Sequence, residues 1–104
     1  MDKGIDRVVA EYLELIKKKY PGIEGAYLFG SCAKGNSTKD SDIDLALVFR
    51  DLGDSSRFDL QVQLMLLAAK IDSRIEPHPF SHDDFNSGNP FVIEIKKTGI
   101  GVDA

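Results

Sequence analysis

Two carboxylates two residues apart, Asp42 and Asp44, and the pair Gly30-Ser31 upstream of them are the groups of this chain best suited to do chemistry. Ten residues separate Ser31 from Asp42, an apolar run ends at Gly30, and a second begins at Ile43. Side chains on a strand alternate faces, so Asp42 and Asp44 point the same way with Cα atoms roughly 6–7 Å apart. Like charges held together need a positive group between them, and for an all-oxygen site that group is a hard divalent cation such as Mg²⁺. Gly30 allows a tight turn out of the first strand. If a helix starts there, its first amide N–H groups and the Ser31 hydroxyl form a cradle for an anion. A phosphate cradle beside a metal-binding carboxylate pair points to metal-assisted chemistry on a nucleoside triphosphate.

The arrangement Gly-Ser, ten residues, Asp-x-Asp, with an apolar strand on either side, resembles the signature of the DNA-polymerase-beta-like nucleotidyltransferase superfamily. The short chain resembles its minimal (MNT) branch. The signature covers about a seventh of the chain, and the order of elements extends the likeness to most of it. The resemblance implies a small mixed β-sheet with helices packed on one face, an α/β (α+β) nucleotidyltransferase-like fold. It also implies transfer of AMP from ATP, with one or two Mg²⁺ ions, to an acceptor hydroxyl. Minimal proteins of this kind are similar to the antitoxin half of modules whose other half is a helical HEPN-type ribonuclease, and AMP goes to a tyrosine of that partner. A third acidic residue joins the first two in such proteins, more often Asp; here the position is held by Glu76. Asp42, Asp44 and Glu76 are thus the expected catalytic and metal-holding residues, and Gly30, Ser31 and Lys34 the expected nucleotide-binding ones. For Lys34 both a phosphate contact and a solvated position stay open. So do two other functions: a module that neutralises its partner by contact alone, and an antibiotic-type nucleotidyltransferase acting on a small molecule.

The elements that must position these residues can be read in order. Ile5, Val8, Val9, Tyr12, Leu13, Ile16 and Tyr20 recur at helical spacing, predicting a helix over 2–19 that Pro21-Gly22 ends. Lys17, Lys18 and Lys19 at its end answer the helix dipole. A strand over 25–29 delivers Gly30-Ser31, followed by a short helix from Ser31 to Lys34 and a loop at Gly35-Asn36-Ser37. Ile43, Leu45, Leu47 and Phe49 lie opposite Asp44 on a strand over 43–49, which suits a sheet buried on one side. A helix over 57–72, with Ser55 or Ser56 as its cap, is apolar on more than one face and suits either deep packing or a partner, a second copy included. Residues 73–80 read as a third strand, with Pro77 and Pro79 placing its end at a sheet edge. Ser81 caps a short helix, and Asn89-Pro90 opens a last one to Lys97, stopped by Gly99 before an apolar tail of Ile100 and Val102.

Three decoys fall to their own rules. Gly30 to Ser37 has the glycine spacing of a P-loop, but Asn36 stands where the phosphate-binding lysine belongs. A calcium loop counted from Asp40 puts Leu45 and Asp51 where Gly and Glu are needed. His78 and His82 have zinc spacing on a helix, yet Pro79 lies between them, so they read as polar turn residues.

Composition bounds the rest. A chain of 104 residues with 42% hydrophobic and 29% charged content fits one globular domain, 1–104. A formal charge of −4 argues against a broad nucleic-acid surface, so unaided nucleic-acid binding is not expected. No apolar run nears the roughly 20 residues needed to cross a membrane, and the N-terminus carries no apolar secretory segment, so the expected location is cytoplasmic. The single cysteine, Cys32, forms no intrachain disulfide and reads as a small filler in the motif turn.

Overall fold

Helical periodicity at one end of the chain and strand alternation in its middle produce the architecture seen in a computed structural model, which describes residues 3–35, 38 and 41–102. The elements are α1 (Lys3–Lys19), β1 (Ile23–Phe29), β2 (Ile43–Phe49), α2 (Asp54–Ile71), β3 (Ile75–Ser81), α3 (His82–Phe85), α4 (Pro90–Thr98) and β4 (Ile100–Val102). The sheet order is β3-β2-β1-β4. β1 is antiparallel to both β2 and β4, whereas β2 and β3 run parallel across the α2 crossover. The fold is therefore a mixed α/β arrangement around a four-stranded sheet. Among the described residues no helix is long and apolar enough to cross a membrane.

Strand β2 sits in the middle and decides both faces. Its odd positions Ile43, Leu45, Leu47 and Phe49 join one core with Ile5, Val9, Tyr12, Leu13 and Ile16 of α1 and Leu64, Leu67 and Ala68 of α2. Its even positions Ala46 and Val48 join Phe29 in a second core beneath Phe85 of α3 and Val92 and Ile95 of α4. The two long helices thus share one face, and the short C-terminal helices cover part of the other. That second cover comes from α3 and α4, two short helices that follow β3 far along the chain, and so β2 alternation alone suggested a sheet buried on one side.

Several boundaries move for identifiable reasons. β1 begins two residues earlier than its sequence suggests because Ile23 pairs with Phe49 across an irregularity in the register. α2 begins before both candidate caps: Gly53 is its N-cap, without a side-chain cap bond, and Ser56 N–H donates to the Gly53 carbonyl at 3.1 Å. The other caps form as expected. Ser81 accepts from Asp84 N–H at 3.0 Å, and Asn89 accepts from Phe91 N–H at 2.8 Å ahead of Pro90. Pro77 and Pro79 lie on β3, which is an edge strand, as their missing donors require. The apolar tail is a strand, β4, paired with Ala26, Tyr27 and Leu28 of β1.

Candidate active site

The sheet register carries the candidate residues to one place. Antiparallel pairing sets Phe29 opposite Asp44, so the turn at Gly30-Ser31 leaves β1 beside the start of β2. Parallel pairing sets Asp44 opposite Glu76 and Ala46 opposite His78. Alternation then turns Asp44, Glu76 and His78 to the same sheet face. One ligand atom from each of these three residues lies within 4.8 Å of the others. His78 Nε2 stands 3.2 Å from Asp44 Oδ1, and both side chains are partly shielded, 31% and 24% exposed. The His78 ring rests edge-on against Phe29 at 5.0 Å between centroids.

Gly30 closes the floor of this cluster. Its φ of +74° belongs to the left-handed region, and a Cβ there would lie 2.5 Å from Asp44 Oδ2. Lys34 N–H donates to the Gly30 carbonyl at 3.2 Å, so residues 31–35 make a single turn where a short helix was expected. Glycines at both ends of the segment, Gly30 and Gly35 with φ of +74° and +75°, keep it from propagating. In such a turn the amides ahead of Lys34 have no acceptor within the turn, the pattern an anion cradle requires. Ser31 is half-buried in it and Lys34 exposed. Lys34 lines a cavity of about 260 Å³ with Phe29, Gly30, Phe91, Glu94 and Thr98, between the turn and α4.

Asp42 is positioned differently from its neighbour. It precedes the β2 ladder, whose first pair is Ile43 with Ile75, so strand alternation does not aim its side chain. Among the described residues its carboxylate is not one of the group around Asp44. Its backbone carbonyl accepts from the Cys32 thiol at 3.3 Å, and that bond ties the two halves of the motif together. Cys32 itself is buried in the larger core, as a filler should be. Lys17, Lys18 and Lys19 stay exposed in the last turn of α1. Asn36, Ser37 and Asp40, on which the loop, P-loop and calcium-loop readings turned, lie outside the described residues.

His78 is the residue that sequence reasoning missed. Pro79 ruled out a helix joining it to His82 and left a polar turn residue as the reading, but with 73–80 read as a strand, period-two spacing from Glu76 already puts His78 on the same face. His82, by contrast, opens α3 and pairs with Glu24 of β1 at 2.9 Å. Two carboxylates and an imidazole within 4.8 Å form a donor set that fits a divalent cation.

Residues 11–100 match the family described as polymerase beta, nucleotidyltransferase. Over 62 residues the chain is 37% identical to a Methanocaldococcus jannaschii protein named "Putative protein adenylyltransferase MJ0604". That stretch is 59% of this chain and 61% of the relative, so the chain spans about three fifths of the length of the curated protein it matches. Among solved structures, "a putative nucleotidyltransferase from Sulfolobus solfataricus" superposes with a TM-score of 0.65 at 21% identity, covering 91% of this chain and 76% of the other. A toxin–antitoxin structure with AMP-PNP gives 0.62 at 23% identity, covering 88% and 69%. A tri-AMPylated Shewanella oneidensis HEPN toxin in complex with MNT antitoxin gives 0.57 at 20% identity, covering 93% and 70%. At these identities the structural likeness concerns the fold.

Proposed function

The chain belongs to the polymerase beta nucleotidyltransferase family, and from that footing we propose that it transfers AMP from ATP to an acceptor hydroxyl, releasing pyrophosphate. The observation that carries this reading is the convergence of Asp44, Glu76 and His78 beside the Gly30 turn. Asp44 and Glu76 would hold Mg²⁺, with Asp42 able to join through the rotation left open ahead of β2. A divalent ion there neutralises triphosphate charge and eases ionisation of the acceptor hydroxyl. Amides of residues 31–33 and the Ser31 hydroxyl would hold the terminal phosphates, orienting the leaving group for in-line displacement. Lys34, exposed and lining the neighbouring cavity, would meet phosphate charge from the solvent side. Glu76, exposed at its strand position, is the group able to take the acceptor proton.

The acceptor we propose is a hydroxyl on a helical HEPN-type partner. The modules among the structural neighbours support this, as does an unpartnered apolar stripe on α2: Phe58 is 75% exposed, Leu66 57% and Met65 52%. The same stripe favours a second reading, neutralisation of the partner by contact alone. Asp44→Asn separates the two, because transfer requires that carboxylate and contact does not.

Calorimetric titration with ATP, with and without Mg²⁺, tests the site. Binding should need Mg²⁺ and weaken at least about tenfold in Asp42→Asn and Asp44→Asn. A folded wild type that binds no triphosphate would remove the transferase reading and leave the contact module.

A further inference from the structure

His78 is not accounted for by a three-carboxylate scheme, yet its side chain is in direct contact with that of Asp44. Its Nε2 faces Oδ1 across 3.2 Å. Two ligands of one ion, each about 2.1 Å from it and at right angles, stand about 3 Å apart. The observed separation is close to the edge of such a shell, and Glu76 offers a third donor within 4.8 Å of the other two. The ring is also held. Phe29 meets it edge-on, and the parallel register sets His78 beside the small, fully buried Ala46, with β3 itself fixed on β2 along seven paired positions.

We propose that His78 supplies a nitrogen ligand to the divalent ion held by Asp44 and Glu76, and thereby shifts the preference of the site from Mg²⁺ toward first-row transition ions. The proposal rests on the reading that those two carboxylates hold a divalent cation. Mg²⁺ favours oxygen donors and gives up its water reluctantly, whereas imidazole suits transition ions, whose affinity rises from Mn²⁺ through Co²⁺. A histidine that served only to orient Asp44 would instead keep its N–H on the carboxylate and never touch the ion. The two roles differ in whether nitrogen lies in the first coordination sphere, and that is directly measurable.

The experiment is electron spin-echo spectroscopy of Mn²⁺ bound to the full chain, using the metal alone as probe, with unlabelled and ¹⁵N-histidine-labelled protein. Direct coordination gives nitrogen modulation that changes isotope pattern on labelling, disappears in His78→Gln and persists in His82→Gln. Because the labelled wild type answers the question by itself, a folding defect in one variant does not obscure the outcome. Parallel calorimetry should show the Mn²⁺ affinity of His78→Gln falling by about 10–100-fold, with Mg²⁺ affinity changing by less than about threefold. Mn²⁺ that binds through Asp44 but shows no nitrogen coupling overturns the proposal while leaving the carboxylate site intact. Mn²⁺ that binds equally well to Asp44→Asn overturns the underlying site as well.

Discussion

Gly30 meets two requirements at once, a positive φ and no atom where a side chain would begin, because Asp44 Oδ2 occupies that space. Gly35 meets only the first, with nothing within 4 Å of its would-be Cβ. The pair therefore separates backbone strain from site geometry. Gly30→Ala should cost about 1–3 kcal/mol of stability and also abolish Mg²⁺-dependent ATP binding by displacing Asp44. Gly35→Ala should cost about 1–2 kcal/mol and leave ATP affinity within about threefold of wild type. Thermal melts and calorimetry on the two variants check both. At this scale the sequence was legible where a residue's neighbours in the chain fix its direction, as for Asp44 and Gly30 on either side of paired strands. It was less so for Asp42, which precedes the ladder, and for His78, which was weighed only against His82 on a helix and set aside because of Pro79, whereas the register of β3 on β2 puts it beside Asp44 and Glu76.

Elements join through contacts that local patterns do not announce. β4 is three residues long, too short for alternation to declare it, and becomes a strand only by pairing with β1. Gly99 makes that return possible: a Cβ would lie 2.4 Å from the Ile95 carbonyl oxygen and 3.0 Å from that of Leu28. Gly99→Ala should thus cost about 1–3 kcal/mol and lose protection of the Tyr27 and Leu28 region in hydrogen exchange. Between the long helices, the fully buried Tyr12 donates its hydroxyl to the Leu64 carbonyl at 2.9 Å. Burial holds its ionisation well above the usual tyrosine range, with nearby Tyr20 adding to the effect. The folded chain then keeps a proton that the unfolded chain loses above about pH 10, so stability falls there by about 1.4 kcal/mol per pH unit. Tyr12→Phe should remove that alkaline slope and lower neutral stability by about 0.5–1.5 kcal/mol, as urea melts at pH 7 and pH 10.5 would report. Asp84 behaves oppositely. The Arg57 guanidinium donates to it, tying α2 to α3 and holding its carboxyl below the usual range, so this tie is present at neutral pH and fades as acid protonates the carboxylate. Its partly exposed position keeps the contribution within about 1 kcal/mol.

At the scale of the whole molecule, the alternation of helices and strands made the α/β class legible, and the Gly-Ser and Asp-x-Asp spacing pointed to the part of the fold that holds the candidate site. What was not legible is how many faces of the sheet are covered, since that depends on where the chain returns after β3. The same holds for α2. Its apolar residues on several faces left open whether the helix is deeply packed or shared, and packing against α1 and the sheet resolves the question into two sides. Leu64, Leu67 and Ala68 are buried, whereas Phe58, Met65 and Leu66, with Val62 between them, stay open to solvent. A contiguous apolar stripe on a helix already anchored by its other side does nothing for the isolated fold. It is suited to receive another apolar surface, and a helical partner presenting side chains at three- and four-residue spacing would match it. Phe58→Ser with Leu66→Ser should therefore leave stability within about 1 kcal/mol, as expected for two exposed positions. The same change should weaken binding to a HEPN-type partner by at least about 2 kcal/mol, roughly thirtyfold, if the aromatic anchors the contact. Leu64→Ala is the converse control. It should cost about 2–5 kcal/mol of stability, yet its folded fraction should bind the partner with unchanged affinity. Melting curves and partner titrations on the two sets form a cross. A partner whose affinity follows stability in both sets, and not the exposed stripe, would show that this face of α2 is no docking surface.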